Sequence, residues 1–252
     1  MAELKIPTET VTLPSKGLLY PETSPLSKGE LEMKYMTAKE EDILTNGNYL
    51  KQGTVIDKLL QALIITPIDY NELLVGDKNA ILIAARVLGY GKDYSFKYLN
   101  PEGQEIEATA DLSLLEDKIV DEKLFKRGVN EFAFVLPHSK NSITFKLLTH
   151  GDEQKIEAEI KGLKKINPNV TTDVTTRLKH MILSVEGKRD QKEIRDFVDN
   201  YLIAKDARAL REYYSQISPD INMVYKPEDE DYTGEGINIP VSINFFWPDA
   251  GV

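Results

Sequence analysis

Cysteine is absent from the 252 residues of this chain. A disulfide framework, catalysis by a thiolate and zinc sites with cysteine ligands are therefore excluded, and an intracellular origin fits the composition better than a secreted one. With 41% hydrophobic residues, the chain is long enough to bury a core without covalent or metal cross-links. The composition predicts a globular protein.

Long apolar runs are also missing, since no stretch reaches the roughly 18 consecutive apolar residues of a membrane-spanning helix. Residues 1–5 lack the apolar region of a signal peptide, so we expect a soluble protein that is not secreted. Acidic residues outnumber basic ones by 41 to 31, which gives a net charge of −10. This charge repels nucleic acids at long range and weighs against them as partners.

Residue combinations that support catalysis or metal binding are scarce. The three histidines are scattered, and no two of them have the spacing of metal ligands. They are His138, His150 and His180. We expect them to lie on the surface or to be held by hydrogen bonds, and we expect no catalytic site, no cofactor and no metal.

Two short motifs resemble binding loops but depart from them. Residues 89–92 (Gly-Tyr-Gly-Lys) look like the end of a phosphate-binding loop, yet Arg86 occupies the position of that loop's first glycine. We therefore expect these glycines to end a helix. Residues 229–234 resemble the first half of a calcium-binding loop, but Pro240 stands where the bidentate glutamate is required, which favours a solvated acidic loop.

The first 28 residues are rich in proline, with Pro7, Pro14, Pro21 and Pro25. Each proline fixes φ and removes a backbone donor, so this segment cannot form a helix. Residues 9–13 alternate weakly between polar and apolar types and indicate one short strand. We expect an extended arm that can pair with a sheet edge or lie across a neighbouring protein.

Residues 29–91 predict one strand followed by helices. Alternate residues from Leu31 to Tyr35 are apolar, as in a strand with one buried face. Thr37 and Glu40 have the spacing of a capping box, which predicts a helix over Ala38–Leu44.

Two more helices are predicted in this range. Residues 46–48 should break the first helix, and residues 53–54 open the next, which ends before Pro67. A third, apolar on most sides, runs from Asp77 as its N-cap to Gly89 and should be the central buried helix.

Residues 92–252 predict two hairpins, a block of helices and a final strand. The hairpins join residues 94–98 to 104–109 and residues 131–136 to 142–148. The predicted helices cover residues 152–166, 172–186, 192–203 and 207–216. The final strand covers residues 237–245, with Pro240 making it an edge strand or a bulged one.

Strands and helices thus fall in separate blocks. This pattern predicts an α+β fold with antiparallel strands and hairpins, segregated helices and an extended N-terminal arm. We divide the chain into an arm (residues 1–28), a strand with a helical subdomain (29–91) and an α+β domain with two hairpins, helices and a C-terminal strand (92–252).

Three consecutive aromatic residues, Phe245, Phe246 and Trp247, precede Pro248. One face of a strand cannot bury all three side chains. Packing in the interior and contact with a partner protein are expected about equally, because Trp and Phe are frequent anchors of interfaces.

Several of these motifs occur together in one chain. They are Pro14-Ser-Lys-Gly17 with Tyr20, the nine residues 36–44 (Met-Thr-Ala-Lys-Glu-Glu-Asp-Ile-Leu), Gly53 with Asp57, and the terminal Phe-Phe-Trp-Pro. In combination they resemble the baseplate hub-assembly protein family of T-even-type contractile-tailed phages. The resemblance implies a non-enzymatic tail protein that helps to build the central hub, as an assembly factor or a resident subunit. Its partners are then other baseplate, hub or tail proteins, in the virion or, during assembly, in the host cytoplasm.

The resemblance also suggests a metal site that this chain does not support. Many members of the family carry paired cysteines before the final aromatic strand, which indicates a small metal-stabilised knuckle. Residues 229–236 occupy that region here and contain no cysteine. A zinc site is therefore not carried over.

The residues expected to contact partners are Pro14, Lys16, Gly17, Tyr20, Phe245, Phe246 and Trp247. If the chain is a hub protein, we expect its arms to make little contact with its own body and apolar surface to be left exposed. One alternative is a transient tail-assembly chaperone for the tape-measure protein. A less favoured one is an enzyme or ligand-binding α+β domain, which predicts a concave pocket whose polar groups have perturbed pKa values.

Overall fold

Blocks of helices and blocks of antiparallel strands follow one another along the chain in a computed structural model that describes residues 6–100, 103–169, 171–227, 236–241 and 245–246. The α-helices are α1 (Ala38–Leu44), α2 (Gly47–Gln52), α3 (Val55–Leu63), α4 (Val75–Tyr90), α5 (His150–Ile166), α6 (Asp173–Met181), α7 (Gln191–Asn200) and α8 (Ala204–Ile217). The strands are β1 (Thr8–Thr12), β2 (Glu30–Lys34), β3 (Asp93–Leu99), β4 (Glu105–Asp111), β5 (Phe132–Val135), β6 (Ser142–Phe145), β7 (Ile182–Val185), β8 (Val224–Tyr225) and β9 (Ile237–Asn238). Within the described ranges they form antiparallel sheets of order β1-β2, β3-β4, β5-β6-β7 and β8-β9. The predicted α+β class is confirmed.

The strand of the N-terminal arm pairs with the next strand of the same chain. Thr8 lies opposite Lys34, and Thr12 lies opposite Glu30, in an antiparallel ladder without a register shift. Buried side chains line one face of this pair: Val11, Leu31 and Met33. Residues 8–12 of the arm are extended, and this strand belongs to the body of the protein. Residues 14–19 form turns and Pro25–Lys28 forms a short 3-10 helix, so the prediction that residues 1–28 contain no helix is wrong, because proline fits the first turn of a helix.

Helix α1 begins and ends where the capping box predicts. The backbone N–H of Thr37 donates to Glu40 Oε2 at 3.0 Å, and the Thr37 hydroxyl lies 2.6 Å from the same oxygen. Lys34 Nζ donates to the other carboxylate oxygen at 2.8 Å. Burial by itself raises the pKa of Glu40, but the bonds from Lys34 and Thr37 outweigh it and lower the pKa to about 2.

A short helix, α2, follows α1 where the sequence predicts only a break. The side chain of Asn46 accepts hydrogen bonds from the backbone N–H groups of Asn48 and Tyr49, at 3.0 and 3.3 Å. The predicted break of α1 is confirmed, but the helix that follows it was not predicted, because asparagine, a frequent turn residue, is an equally good helix N-cap. Gly53, at φ +70°, ends α2, and α3 then begins at Val55 close to the predicted start.

The apolar helix predicted for residues 77–89 is observed as α4, which extends slightly beyond both predicted ends. Many of its side chains are buried, among them Ile81, Leu82 and Ile83. Gly91 follows the last turn with φ +84°. The glycines that resemble a phosphate-binding loop therefore belong to the end of a helix, as expected.

The helix predicted for residues 172–186 is wrong in its last third. Helix α6 ends at Met181, and residues 182–185 form β7, the third strand of a sheet beside β6. Ser184 is buried, and its hydroxyl lies 2.7 Å from the hydroxyl of Thr144 on β6. The open edge of the β5-β6 hairpin supplies partners for these backbone groups, and no local pattern reveals that edge.

The final strand is shorter than predicted. The described part is β9, which pairs with β8 through Val224 opposite Asn238 and Tyr225 opposite Ile237. Phe245 lies outside any strand, and residues 242–244 fall outside the described ranges. The prediction of a strand to residue 245 is therefore correct only at its start.

One cluster of buried apolar side chains includes members from all three predicted ranges, for example Leu13, Leu60 and Phe145. The boundaries at residues 28 and 91 stay predictions. Among the helices that the structure describes, none combines the length and the apolar character needed to cross a membrane.

Replacing Glu40 by glutamine removes a carboxylate whose pKa falls on folding from its ordinary 4.5 to about 2. Because the folded-state pKa is lowered, the stabilisation is present above pH 4.5 and is lost as the pH falls towards 2. We expect Glu40→Gln to lower the free energy of unfolding at pH 7 by about 1–3 kcal/mol. The difference from the wild type should shrink below pH 4.5.

Urea unfolding of both proteins at several pH values between 7 and 3 measures this. The matched control is Asp42→Asn, which changes an exposed carboxylate of the same helix. A loss of stability that stays constant over this pH range would contradict the role of the Glu40 charge.

Candidate functional site: the anchored arm and the clefts beside α5

The motif at residues 14–20 is anchored by a buried carboxylate. Asp77, in the first turn of α4, has no exposed surface and accepts hydrogen bonds from the backbone N–H of Ser15 at 2.9 Å, from the Ser15 hydroxyl at 2.6 Å and from the Tyr20 hydroxyl at 2.6 Å. The prediction of Asp77 as the helix N-cap is wrong, because Leu74 occupies that position. Burial raises the pKa of Asp77, and the hydrogen bonds from Ser15 and Tyr20 oppose that rise.

The hydroxyl of Tyr20 connects the arm to the backbone at the start of α4. It donates to Asp77 and accepts from the backbone N–H of Leu74 at 2.9 Å. Burial raises the pKa of Tyr20 well above its ordinary value, and the nearby charge of Asp77 adds to this. The phenol therefore stays protonated and can serve as a donor at every physiological pH.

Lys16 and Gly17 form a tight turn in which both residues have positive φ, 50° and 72°. A Cβ atom on Gly17 would lie 2.5 Å from the backbone nitrogen of Gly29 and 2.5 Å from the carbonyl oxygen of Ser27. Only glycine fits this approach of two backbone segments. The Pro-Ser-Lys-Gly motif therefore has a structural explanation within the chain itself.

Most arm residues that are predicted to contact partners are buried. Pro14, Gly17 and Tyr20 are covered by the chain's own body, whereas Lys16 is exposed and forms an ion pair with Glu122. The expectation of an arm with little contact to its own body is thus wrong for residues 8–20. The physical reason is that Asp77 and β2, within the same chain, supply the hydrogen-bond partners of these residues.

The aromatic residues near the C-terminus also pack inside. Phe245 and Phe246 have no exposed surface, and the ring of Phe245 lies edge-on against Tyr94 with the centroids 4.8 Å apart. Of the two expectations for these residues, interior packing describes Phe245 and Phe246. Trp247 falls outside the described residues.

A polar cluster that the sequence does not predict lies where α3, α4 and α5 meet. The ring of His150 places Nδ1 3.2 Å from Lys78 Nζ and Nε2 3.7 Å from Asp57 Oδ2. Asp57 also contacts Lys78 Nζ at 2.5 Å and accepts from the Tyr70 hydroxyl at 3.1 Å. Burial, together with the charge of Lys78, lowers the pKa of His150.

Two clefts flank this cluster. One, of about 690 Å³, is lined by Tyr20, Glu72, Lys146 and Lys155 among others, and the second, of about 550 Å³, by Asp57, Lys78, His150 and Arg177 among others. Some of their charged groups are already paired, since Lys146 binds Asp152 at 2.8 Å and Arg177 binds Glu153 at 2.5 Å. The second cleft nevertheless has two features of a ligand site, a concave shape and a histidine of lowered pKa.

No local pattern could have identified Asp77 as the anchor of the arm, because its partners Tyr20 and Ser15 lie 57 and 62 positions away. The one available signal is an acidic residue near the start of an otherwise apolar helix. In the described parts of the chain, no group of three or more acidic or histidine side chains is arranged to hold a metal ion. The residues that resemble a calcium loop, 229–234, are not among those parts.

Comparisons with protein-family models, with curated proteins and with solved structures find no significant match. The resemblance to the phage hub-assembly family therefore rests on the motifs quoted above.

Replacing Tyr20 by phenylalanine removes one donor to Asp77 and the acceptor of the Leu74 N–H group. Two buried polar groups lose a partner, so we expect Tyr20→Phe to lower the free energy of unfolding by about 1–3 kcal/mol. Urea unfolding measures this loss, and faster tryptic cleavage after the exposed Lys16 should accompany it. Tyr201→Phe, at a side chain that is 63% exposed, is the control. Equal stability of both variants would show that the Asp77 contacts do not hold the arm.

Proposed function

We propose that this chain is a structural or assembly protein of the baseplate hub of a contractile phage tail, and that it acts by binding other proteins. The observation that carries the proposal is the position of the family-like motifs in the fold. Tyr20 binds Asp77, Glu40 binds Lys34, and Asp57 binds Tyr70. The motifs therefore specify a scaffold, which agrees with a protein whose family resemblance is to assembly factors.

Exposed apolar side chains in the segment 112–130 support this proposal. The segment has little regular structure and lies across the body, where the backbone N–H of Gly128 donates to the carbonyl of Leu18 at 2.8 Å. Three of its large apolar side chains, Leu114, Ile119 and Leu124, are 75%, 97% and 46% exposed. If these side chains form one surface, they are candidate contacts with other hub proteins.

The second candidate function is a ligand-binding domain, and the cleft beside His150 is the observation in its favour. Both ring nitrogens of His150 already have polar neighbours, at 3.2 Å for Lys78 and 3.0 Å for Gln154. A ligand would have to displace these contacts. The hub protein is therefore the better supported candidate.

Residence in the virion separates a hub subunit from a transient chaperone for the tape-measure protein. Mass spectrometry of purified tails should detect the chain in a fixed stoichiometry if it is a subunit. Absence from the particles, together with failure of tail assembly when the gene is deleted, would identify the chaperone. Intact tails formed without the gene would refute both forms of the proposal.

Changing Ile119 to aspartate should impair hub assembly without destabilising the fold. The side chain is 97% exposed, so its replacement leaves the buried core intact and the urea midpoint unchanged. We expect at least a tenfold lower yield of complete tails when the variant complements a deletion, counted by electron microscopy. Ile119→Leu, which keeps the apolar surface, serves as the control, and equal yields for both variants would exclude this segment as a contact.

A further inference from the structure

Among the residues that the structure describes, β1 is an edge strand with one hydrogen-bonding side unpaired. The N–H of Leu13 donates to the carbonyl of Gly29 at 2.8 Å, and the N–H of Tyr35 donates to the carbonyl of Pro7 at 3.1 Å. Bonded and non-bonded pairs alternate in an antiparallel ladder, so the odd-numbered residues of β1 bond to β2. The backbone groups of Thr8, Thr10 and Thr12 then point away from β2. No residue in the described ranges pairs with them.

The opposite edge of this sheet is closed. On β2, the carbonyl of Glu32 accepts from the N–H of Ile65 at 2.8 Å, and the Glu32 N–H donates to the Thr66 hydroxyl at 2.8 Å. Met33 also forms a β-bridge with Ile64. A further strand can therefore join the sheet only beside β1.

Lysine, proline and bulges are missing from β1, although Glu9 places one charge on the same face as Val11. Natural edge strands carry lysines, prolines or bulges that prevent the addition of another strand. The five residues Thr-Glu-Thr-Val-Thr contain none of these, and the neighbouring prolines, Pro7 and Pro14, lie outside the strand. Three of the five are threonines, which favour the extended conformation. This edge is regular and suited to strand addition.

Unpaired negative charge surrounds the open edge. Glu30 and Glu32 on β2 lie on the solvent face, opposite Thr12 and Thr10, whereas Glu9 on β1 lies on the face of Val11. All three are exposed, and none has an ion-pair partner among the described residues. The basic residue of these two strands, Lys34, is bound to Glu40. The sheet therefore presents carboxylates to whatever binds there, which favours a basic partner.

We propose that the open edge of β1 binds an extended segment of a partner protein, in which basic residues alternate with apolar ones, as an added strand. On the solvent face its basic side chains lie beside the small threonines and reach towards Glu30 and Glu32, two strand spacings or about 10 Å away. On the other face its apolar side chains extend the core beside Val11. A second copy of this chain, with its charge of −10, would instead place two acidic edges together. This inference rests on the proposed function, and it specifies the chemistry of the partner.

Thr10→Pro tests the edge directly. The substitution removes an N–H group that β2 does not use, and edge strands tolerate proline where the N–H faces outward. Deleting residues 1–20 is unsuitable because it also removes the Ser15 and Tyr20 contacts to Asp77. In cells infected with the phage lacking this gene, Thr10→Pro should reduce the yield of complete tails at least tenfold, whereas Thr10→Val should complement like the wild type. Both variants should unfold at the wild-type urea midpoint.

A second variant tests the charge and remains informative if Thr10→Pro fails to fold. Glu9, Glu30 and Glu32 are all exposed, so changing them together to glutamine should preserve the fold. We expect a reduced yield of tails from this triple variant. A wild-type yield would overturn the basic character of the partner.

Hydrogen exchange of the Thr8, Thr10 and Thr12 amides identifies the occupant. Fast exchange in the free chain and slow exchange in assembled hubs support the proposal. Slow exchange in the free chain at every concentration means that a segment of the same chain covers the edge, and exchange that slows with concentration means a second copy. Either result overturns the proposal of strand addition. Full complementation by a folded Thr10→Pro variant overturns it as well. None of these results contradicts the proposed hub function. Intact tails without the gene would instead refute that function.

Discussion

A buried carboxylate with three donors connects the start of this chain to its central helix, and the surrounding structure depends on it. Asp77 holds Ser15 and Tyr20, and the Tyr20 hydroxyl in turn holds the N–H of Leu74. The same backbone stretch binds the start of α5, because the N–H of His150 donates to the carbonyl of Leu73 at 2.7 Å. Removing an ionised carboxylate from water costs several kcal/mol, and hydrogen bonds to charged groups offset this only when their geometry is good. The positions of the arm, α4 and α5 are therefore coupled through one small polar cluster.

This anchoring decides which surfaces remain for partners. Pro14, Gly17 and Tyr20 are buried inside the chain, and of the residues of that motif expected to contact partners, Lys16 alone is exposed. What the arm leaves exposed is the outer backbone edge of β1. The burial of Phe245 and Phe246 has the same consequence at the other end. The contacts with other proteins that we propose therefore lie on surfaces that the motif residues hold in place, and not on the motif residues themselves.

Local signals identified most of the secondary structure. Helix α1 follows from the capping box of Thr37 and Glu40, which acts over one turn, and the hairpin of β3 and β4 follows from alternation and a turn between them. The pattern at residues 182–185 fits either a strand or the end of a helix, and only the neighbouring edge of β6 selects the strand. The helical use of Asn46 was missed for a related reason, since the same residue type favours both turns and N-caps.

The sequence alone determined the class of the fold, the absence of cysteine chemistry, the acidic charge and the bounds of helices with strong caps, because these depend on composition or on neighbours within a few residues. The tertiary structure decided where the motif residues point. Asp77 reads locally as a helix cap, but burial against a segment about sixty residues earlier makes it the anchor of the arm. The open edge of β1 was likewise decided by tertiary structure, since an unpaired backbone side exists only relative to the strands that are present. Contacts over such separations depend on how the whole chain packs, and no local pattern encodes them.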